Sequence, residues 1–126
     1  MRGRVVAGEQ LGRRLGYPTA NIRMRRRKPP MTGIFAVRVR GVESIHPHAA
    51  RAGVASLGYR PTVDGTEPLL EVHVFDFTGV LYGAELEVEF VAKIRDEEKF
   101  ASLDALVQQM HLDAAEARRL LADETR

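Results

Sequence analysis

Apolar and polar residues alternate over short stretches through most of the chain, and this pattern predicts β-strands with one buried face. The clearest stretch is 86–94, where every second residue from Leu86 to Ile94 is apolar and the charged residues Glu87, Glu89 and Lys93 stand between them. The same signal predicts further strands over 4–7, 20–24, 34–40 and 52–57, the last of them closed by Gly58.

The stretch 69–77 alternates equally well, but its second face has an unusual composition. One face carries the aliphatic residues Leu70, Val72 and Val74. The other face carries one carboxylate, one imidazole and two rings, namely Glu71, His73, Phe75 and Phe77. A carboxylate between aliphatic neighbours commonly marks the solvent side of a half-buried sheet. Among rings it is partly desolvated, which costs free energy unless the group has a partner or a function.

Helical periodicity is confined to the end of the chain. Apolar residues from Leu103 to Met110 keep the spacing of one helix face, and Ser102 is a suitable N-cap. Asp113 and Glu116 have the spacing of a capping box, which predicts a second helix starting there. Strands followed by helices, with none interleaved, favour an antiparallel barrel with C-terminal helices on its side or end.

Composition narrows the class of protein. The chain has 126 residues, 44% of them apolar, which suits one globular domain. It has no cysteine, which excludes disulfides and thiolate sites, and no apolar run of membrane-spanning length. We therefore expect a cytoplasmic protein without a membrane partner. The net charge of +2 is too small to decide between phosphate-bearing small molecules, nucleic acid and no anionic partner.

A glycine-rich segment precedes the second predicted strand. Gly8, Gly12 and Gly16 are spaced four apart, with Arg13 and Arg14 between them. The segment is neither a Walker A loop nor a dinucleotide-binding turn. Glycine nevertheless lets backbone N–H groups approach an anion, and arginine adds charged donors. A phosphate-binding loop and a solvated connection are both consistent with this segment.

The segment that follows reads Pro-Thr-Ala-Asn. Pro18 restricts Tyr17 to extended geometry. Thr19 and Asn21 are two residues apart, so their side chains project to one face and offer two neutral oxygens. Such oxygens suit a Mg²⁺ ion that keeps several waters and takes further ligands from phosphates. Hydrogen bonds within a turn are the alternative use of both residues.

Other polar clusters favour structural or solvated interpretations. The basic run 23–30 is typical of a solvated loop, with a docking or nucleic-acid patch as the alternative. His46 and His48 lack a third ligand nearby, so a surface loop is favoured over a zinc site. His73 could line a site or sit beside the rings of its own strand. The acidic run 96–98 is interpreted as a solvated approach to the helix rather than a metal site.

Several segments together resemble the riboflavin kinase family. They are Pro-Thr-Ala-Asn with the loop before it, "GVASLGYRPTVDG" (53–65), "LEVHVFDFTGVLYG" (70–83) and "KIRDEEKFASLDALVQQMHLDAAEAR" (93–118). The similarity covers nearly the whole chain in collinear order and looks closest to the riboflavin kinase module of bacterial bifunctional FAD synthetases. It implies a mainly β fold, a six-stranded antiparallel Greek-key barrel with a C-terminal helical element.

The resemblance also implies roles for individual residues. Thr19 and Asn21 would contact Mg²⁺, and Glu71 would be the catalytic base. Residues around Arg95 and Glu98 would hold the flavin. Nucleotide binding would fall to the glycine-rich loop and its end, that is Gly8, Gly12, Arg13, Gly16 and Pro18. Ser56 and Tyr59 depart from what is usual in the family.

The implied activity is phosphoryl transfer from ATP to riboflavin, which gives FMN and ADP. Nothing in 1–126 resembles the adenylyltransferase domain of the bifunctional relatives, so we expect a kinase module, which could belong to a longer parent chain. Two other classes stay open at this point. One is a small basic barrel that binds single-stranded nucleic acid, although few aromatic residues are free to stack on bases. The other is a flavin-binding module without catalysis.

Overall fold

A closed antiparallel barrel with a helix on its outer surface forms the fold. The computed structural model describes residues 1–6, 17–24, 31–42, 49–77 and 81–124. Within these ranges it contains six strands and one helix, which we label β1 to β6 and α1. Their bounds are Arg2–Val6, Ala20–Met24, Gly33–Arg40, Arg51–Thr62, Gly65–Val74 and Glu85–Arg95 for the strands and Leu103–Glu124 for the helix.

The strands are ordered β1-β2-β5-β4-β3-β6 around the barrel, and β6 pairs with β1 to close it. Strands β3, β4 and β5 are consecutive neighbours, and β6 returns to lie beside β3. Three consecutive strands followed by a fourth that returns to the first constitute a Greek key. The predicted fold class is therefore confirmed.

Aliphatic side chains fill the barrel interior. Alternate residues of each strand point inward, as the pleat requires. On β5 these are Leu70, Val72 and Val74, as predicted, and all three are buried. The inward residues of β3 are Phe35 and Val37 together with Val39. The interior is thus a packed core rather than a ligand cavity.

Strand β6 departs from the predicted alternation. Leu86 and Val88 face the interior, but Ile94 packs with the helix on the outside. The pairing with β3 shifts twice, once between Ile34 and Phe35 and once between Ala36 and Val37. Each bulge inserts one residue and changes which side chains face inward. The expectation of one continuous apolar face from Leu86 to Ile94 was therefore wrong.

The C-terminal region forms one continuous helix rather than two. The backbone N–H of Ala105 donates to Ser102 Oγ over 3.1 Å, which confirms the predicted N-cap. The predicted second start at Asp113 was wrong, because α1 runs through it without a break. The buried Asp113 carboxylate accepts hydrogen bonds from Arg95 instead of capping a helix.

An apolar cluster attaches α1 to the barrel. Ala114, Ala117 and Leu121 of the helix pack against Ala36 of β3 and Phe75 after β5. The small alanines allow the helix axis to approach the sheet closely. The helix therefore covers one part of the outer barrel surface and provides a wall beside the strands that it does not cover.

Several predicted strand bounds were also wrong. Strand β4 does not end at Gly58, because its ladder with β5 continues to Thr62, opposite Gly65. Strand β5 ends at Val74, before the two phenylalanines that follow it. Asp76 then adopts a positive φ of 56°, which turns the chain so that Phe77 packs on the inner cluster rather than the outer face.

The turn after β5 is fixed by the helix. The Arg118 guanidinium lies 4.2 Å from the Phe75 ring centroid and donates to both Asp76 carboxylate oxygens. This donation holds the pKa of the Asp76 carboxyl below its usual range. Within the described part of the chain, no helix combines the length and the apolar character needed to cross a membrane.

Candidate active site

Three polar side chains form a row across the outside of neighbouring strands. Glu71 on β5 is the register partner of Asn21 on β2 and of Ser56 on β4. Each of the three is flanked along its own strand by residues of the inner core. The alternation of the pleat therefore directs all three to the outer surface.

A cavity of about 560 Å³ opens over this row. One side consists of the outer faces of β2, β4 and β5. The other side consists of the segment between β6 and α1 and the first turns of the helix. Its lining includes Thr19, Asn21, Glu71, Arg95, Glu98 and Met110. Its volume lies in the range of small-molecule binding sites.

The Glu71 carboxylate is half-buried at the floor of this cavity. Thr19 Oγ1 donates to Glu71 Oε2 over 3.4 Å, a long hydrogen bond across the end of the β2–β5 ladder. Asn21 beside it is 7% exposed. The predicted base and the two predicted metal-contacting residues are thus brought together, although they are about fifty positions apart in sequence.

The oxygens of Thr19, Asn21 and Glu71 fit a hard divalent cation that keeps part of its water shell. Neutral oxygens of Thr19 and Asn21 and the Glu71 carboxylate line the same cavity. Among the residues that the structure describes, no group of three or more acidic or histidine side chains could hold a metal ion. A cation held here would need further oxygens from water or from a phosphate-bearing ligand, as Mg²⁺ commonly does.

Histidine and tyrosine side chains surround the residues that precede β2. His73 Nδ1 lies 2.7 Å from the Pro18 carbonyl oxygen. The Tyr17 ring lies edge-on to the rings of both His73 and His111, with centroids 5.3 Å apart in each case. His73 therefore lines the cavity and also packs edge-on to Phe75, so both interpretations left open for it are true.

Arg95 lies at the edge of the cavity but is engaged with the helix. Its guanidinium forms a bidentate ion pair with Asp113, with distances of 2.9 Å from Nε to Oδ1 and 2.8 Å from Nη2 to Oδ2. Gln109 donates to the same carboxylate over 2.9 Å. The predicted contact of Arg95 with a flavin stays a prediction, and its observed role is to join β6 to α1.

The three acidic residues after β6 lie in three different environments. Asp96 pairs with Lys93, and this contact lowers the pKa of the Asp96 carboxyl. Glu97 accepts a hydrogen bond from Ser56 Oγ over 3.4 Å and lies against Gly58, where a Cβ would clash with its carboxylate oxygens. Glu98 is exposed and lines the cavity. The segment thus crosses β4 instead of gathering around one ion.

Some predicted residues are not brought into the site, and some lie outside the described residues. Gly8, Gly12, Arg13 and Gly16 lie outside that part of the chain, as do His46, His48 and 25–30 of the basic run. Pro18 is exposed and contacts the His73 ring nitrogen through its carbonyl group.

Sequence reasoning missed two side-chain pairs around the cavity. The Tyr17 hydroxyl is hydrogen-bonded to Nδ1 of His111 on α1. The pairing of Arg95 with Asp113 was missed because Asp113 has the spacing of a helix cap. Neither pair has a local signal, since each joins a strand or its approach to the helix. The four-residue spacing of Gln109 and Asp113 is a weak hint that this helix face is polar and buried.

Comparisons with known proteins agree with this geometry. The family model for flavokinase, described as riboflavin kinase, matches residues 1–121. The bifunctional riboflavin kinase/FMN adenylyltransferase of Haemophilus influenzae is 47% identical over 116 residues, which are 92% of this chain and 36% of the relative. The chain thus spans a little over a third of the length of such curated relatives.

Solved structures show the same similarity. The crystal structure of riboflavin kinase from Trypanosoma brucei aligns with a TM-score of 0.67 at 27% identity, covering 96% of this chain and 78% of that one. A crystal structure described as a macrolide-efflux protein from Streptococcus pneumoniae aligns with a TM-score of 0.77 at 39% identity, covering 89% of this chain and 36% of that one. The barrel, the outer row of Asn21, Glu71 and Ser56, and the match over 1–121 lead to one conclusion: this chain belongs to the riboflavin kinase family.

Proposed function

We propose that the chain is an ATP:riboflavin 5′-phosphotransferase, which converts riboflavin and ATP to FMN and ADP. The observation that carries this proposal is the placement of Glu71 beside Thr19 in one cavity, within a chain of this family. A carboxylate that accepts a proton and neutral oxygens that suit a Mg²⁺–phosphate complex are the groups this reaction needs.

The reaction forms one bond and breaks another at the γ-phosphorus. The ribityl 5′-hydroxyl oxygen attacks the γ-phosphorus, and the bond from that phosphorus to the bridging oxygen of ADP breaks. The hydroxyl proton passes to the Glu71 carboxylate. Because the transition state is loose, Glu71 acts mainly by orienting the alcohol and removing the proton late.

Thr19 and Asn21 would hold Mg²⁺ on the nucleotide side of Glu71. The ion would neutralise charge on the phosphates. Both side chains are neutral, so they leave the positive charge of the ion available to the phosphate oxygens. Asn21 is buried and therefore has few conformations to lose when it binds.

The rest of the binding assignment follows the family resemblance. We assign nucleotide phosphates to Gly8, Gly12, Arg13, Gly16 and the following Pro18. We assign the flavin to the side of the cavity that Arg95 and Glu98 line. We also propose that the module acts in the cytoplasm and, in a longer parent chain, beside an adenylyltransferase domain.

The direct test is FMN formation from riboflavin and ATP, followed by chromatography. We expect FMN with Mg²⁺, none with excess EDTA, and recovery when Mg²⁺ is restored. Formation of FMN in EDTA would contradict the role of the metal. Quenching of riboflavin fluorescence without FMN formation would instead identify a binding module without catalysis.

A further inference from the structure

His73 joins β5 to the segment that leads into β2. The β2–β5 register runs from Ile22 opposite Leu70 to Ala20 opposite Val72. Just beyond this last pair, His73 Nδ1 contacts the Pro18 carbonyl oxygen over 2.7 Å. A carbonyl oxygen can only accept, so Nδ1 carries the proton and donates. The side chain thus extends the connection between the two strands past the end of their ladder.

The same segment is also held from the helix. The Tyr17 hydroxyl is hydrogen-bonded to His111 on α1, and the Tyr17 ring packs edge-on to His73. Tyr17 and Pro18 are therefore fixed by contacts with β5 and with α1. Pro18 has a fixed φ and no N–H, so its carbonyl oxygen is its one backbone hydrogen-bonding group.

This bridge links the two halves of the candidate active site. Thr19 directly follows Pro18, and Asn21 is two residues further on. Glu71 is two residues before His73 on the same face of β5. The hydrogen bond between His73 and Pro18 therefore lies next to the Thr19 oxygen, which is 3.4 Å from the Glu71 carboxylate.

We propose that His73 is a positioning residue that holds Thr19 and Asn21 at the correct distance from Glu71. This inference rests on the proposed kinase function for its kinetic consequence. It assigns to His73 no contact with substrate. Without the donor at this position, Thr19 moves away from Glu71, and the binding of the metal–nucleotide complex weakens.

A matched pair of variants isolates the donor. In His73→Asn, the amide nitrogen occupies the δ position of the lost Nδ1 and still donates. Leucine in His73→Leu has the same branched arrangement of four heavy side-chain atoms as asparagine and no donor. We expect kcat/KM for MgATP to fall about tenfold in the leucine variant, the range expected for one hydrogen bond. We expect the Mg²⁺ concentration that gives half the maximal rate to rise in the leucine variant. In the asparagine variant, this concentration and kcat/KM should both stay near the parent values.

Arg118→Met provides the control. Arg118 stacks on Phe75, which also packs against His73, and its guanidinium donates to the Asp76 carboxylate. The substitution perturbs the packing of Phe75 against His73 and leaves the Nδ1 donor of His73 in place. We expect a lower melting temperature with an unchanged Mg²⁺ dependence. A general packing effect would shift the Mg²⁺ dependence in this variant as well.

Hydrogen exchange on the unliganded protein tests the bridge without any activity. The amides of Thr19, Ala20 and Asn21 should exchange faster in His73→Leu than in the parent and in His73→Asn. The amides of β3 serve as the internal reference. His73→Gln, whose amide lies one carbon further out, should behave like the leucine variant and remains available if leucine impairs folding.

The outcomes separate this inference from the proposed function. Unchanged exchange at Thr19–Asn21 in the leucine and glutamine variants would overturn the bridge. Faster exchange with an unaltered Mg²⁺ dependence would overturn its role in the reaction. A parent protein that forms no FMN would contradict the proposed function, and the exchange experiment would then decide on the bridge alone.

Discussion

Single residues on β5 alternate between two different roles. Leu70 and Val72 belong to the inner core, and Glu71 between them faces the cavity. The carboxylate is therefore held by a rigid strand whose position the core determines. This arrangement gives the Glu71 carboxylate a defined direction, and Thr19 Oγ1 donates a hydrogen bond to it.

Glu71→Gln should lower kcat by about 10²- to 10⁴-fold, because glutamine keeps the shape but cannot accept the proton. This corresponds to about 3–5 kcal/mol in the activation free energy. Binding of riboflavin and nucleotide and the melting temperature should stay near the parent values. Steady-state kinetics with a thermal melt is the measurement.

Glu67→Gln is the matched control for Glu71, since Glu67 lies on the same strand and pairs with Arg60 at the surface. It should leave kcat within a few-fold of the parent. A similarly small change in Glu71→Gln would exclude Glu71 as the base. A shifted melting temperature with normal turnover would show that Glu71 serves the fold.

Among single residues, the sequence predicted most of the polar side chains of the candidate site. It predicted few of the side chains that contact the segments around them. Thr19 and Asn21 were predicted from one family motif and Glu71 from another, and each motif is local in sequence. The side chains that hold them were missed or left open, because Tyr17 meets His111 and His73 meets Pro18 across long separations. Alternation indicates a face, but it does not indicate which residue of another element will meet that face.

Among the elements, α1 is joined to the barrel by both an apolar cluster and a largely buried ion pair. Its alanine-rich face packs on Ala36 and Phe75, and the ion pair of Arg95 with Asp113 ties it to the end of β6. Asp113 is almost fully buried, and the Arg95 side chain is 20% exposed. The pair therefore lies where the loss of one partner leaves a charge poorly solvated.

Asp113→Asn should reduce the free energy of unfolding by about 2–4 kcal/mol, because Arg95 would keep its charge without a counter-ion. Glu116→Gln on the same helix removes an exposed partner of Arg119 and should change the free energy of unfolding far less. Urea unfolding of both variants is the measurement. Equal losses would mean that the buried pair adds nothing beyond a surface pair.

The prediction of two helices failed for a physical reason at the same residue. Asp113 has the spacing of a capping box with Glu116, and a cap is the commonest use of that pattern. Here the carboxylate is neutralised by Arg95 from another element. The sequence alone does not show where β6 lies, so it does not distinguish a helix cap from an ion pair with Arg95. The bulges of β6 were missed for a similar reason, since they arise in the pairing with β3.

For the whole molecule, closure of the barrel depends on β1. This strand pairs with β2 on one side and with β6 on the other. Gly3, the second residue of this strand, is buried, and a Cβ there would clash with the Arg23 carbonyl oxygen and would meet Ile22 Cγ2 at 2.6 Å. The close approach of β1 and β2 therefore requires glycine at this position.

Gly3→Ala should destabilise the protein by about 1–3 kcal/mol, because the added methyl group forces the two strands apart. Arg4→Ala, at the exposed neighbouring residue, is the control and should change the free energy of unfolding by less than about 0.5 kcal/mol. Denaturant titration compares them. A stable Gly3→Ala variant would show that the seam between β1 and β2 can relax.

The overall architecture was the most predictable property of the chain. Strands followed by a helical end indicate an antiparallel barrel, because no helix is available to connect parallel strands. The Greek-key order came from the family resemblance, since alternation alone does not state which strands are neighbours. The placement of the cavity on the outer face follows from the aliphatic interior.

The alternation on β5 also determines which changes of chain length this protein can accept. Deletion of one residue at Leu69 would move Glu71 into the core and Leu70 or Val72 into the cavity, and thus disrupt folding and chemistry at once. The hairpin tip at Val63 is fully exposed between β4 and β5 and lies outside the core and the cavity. Natural length variation and engineered insertions should therefore collect at this tip, and the body of the strand should vary only by substitution.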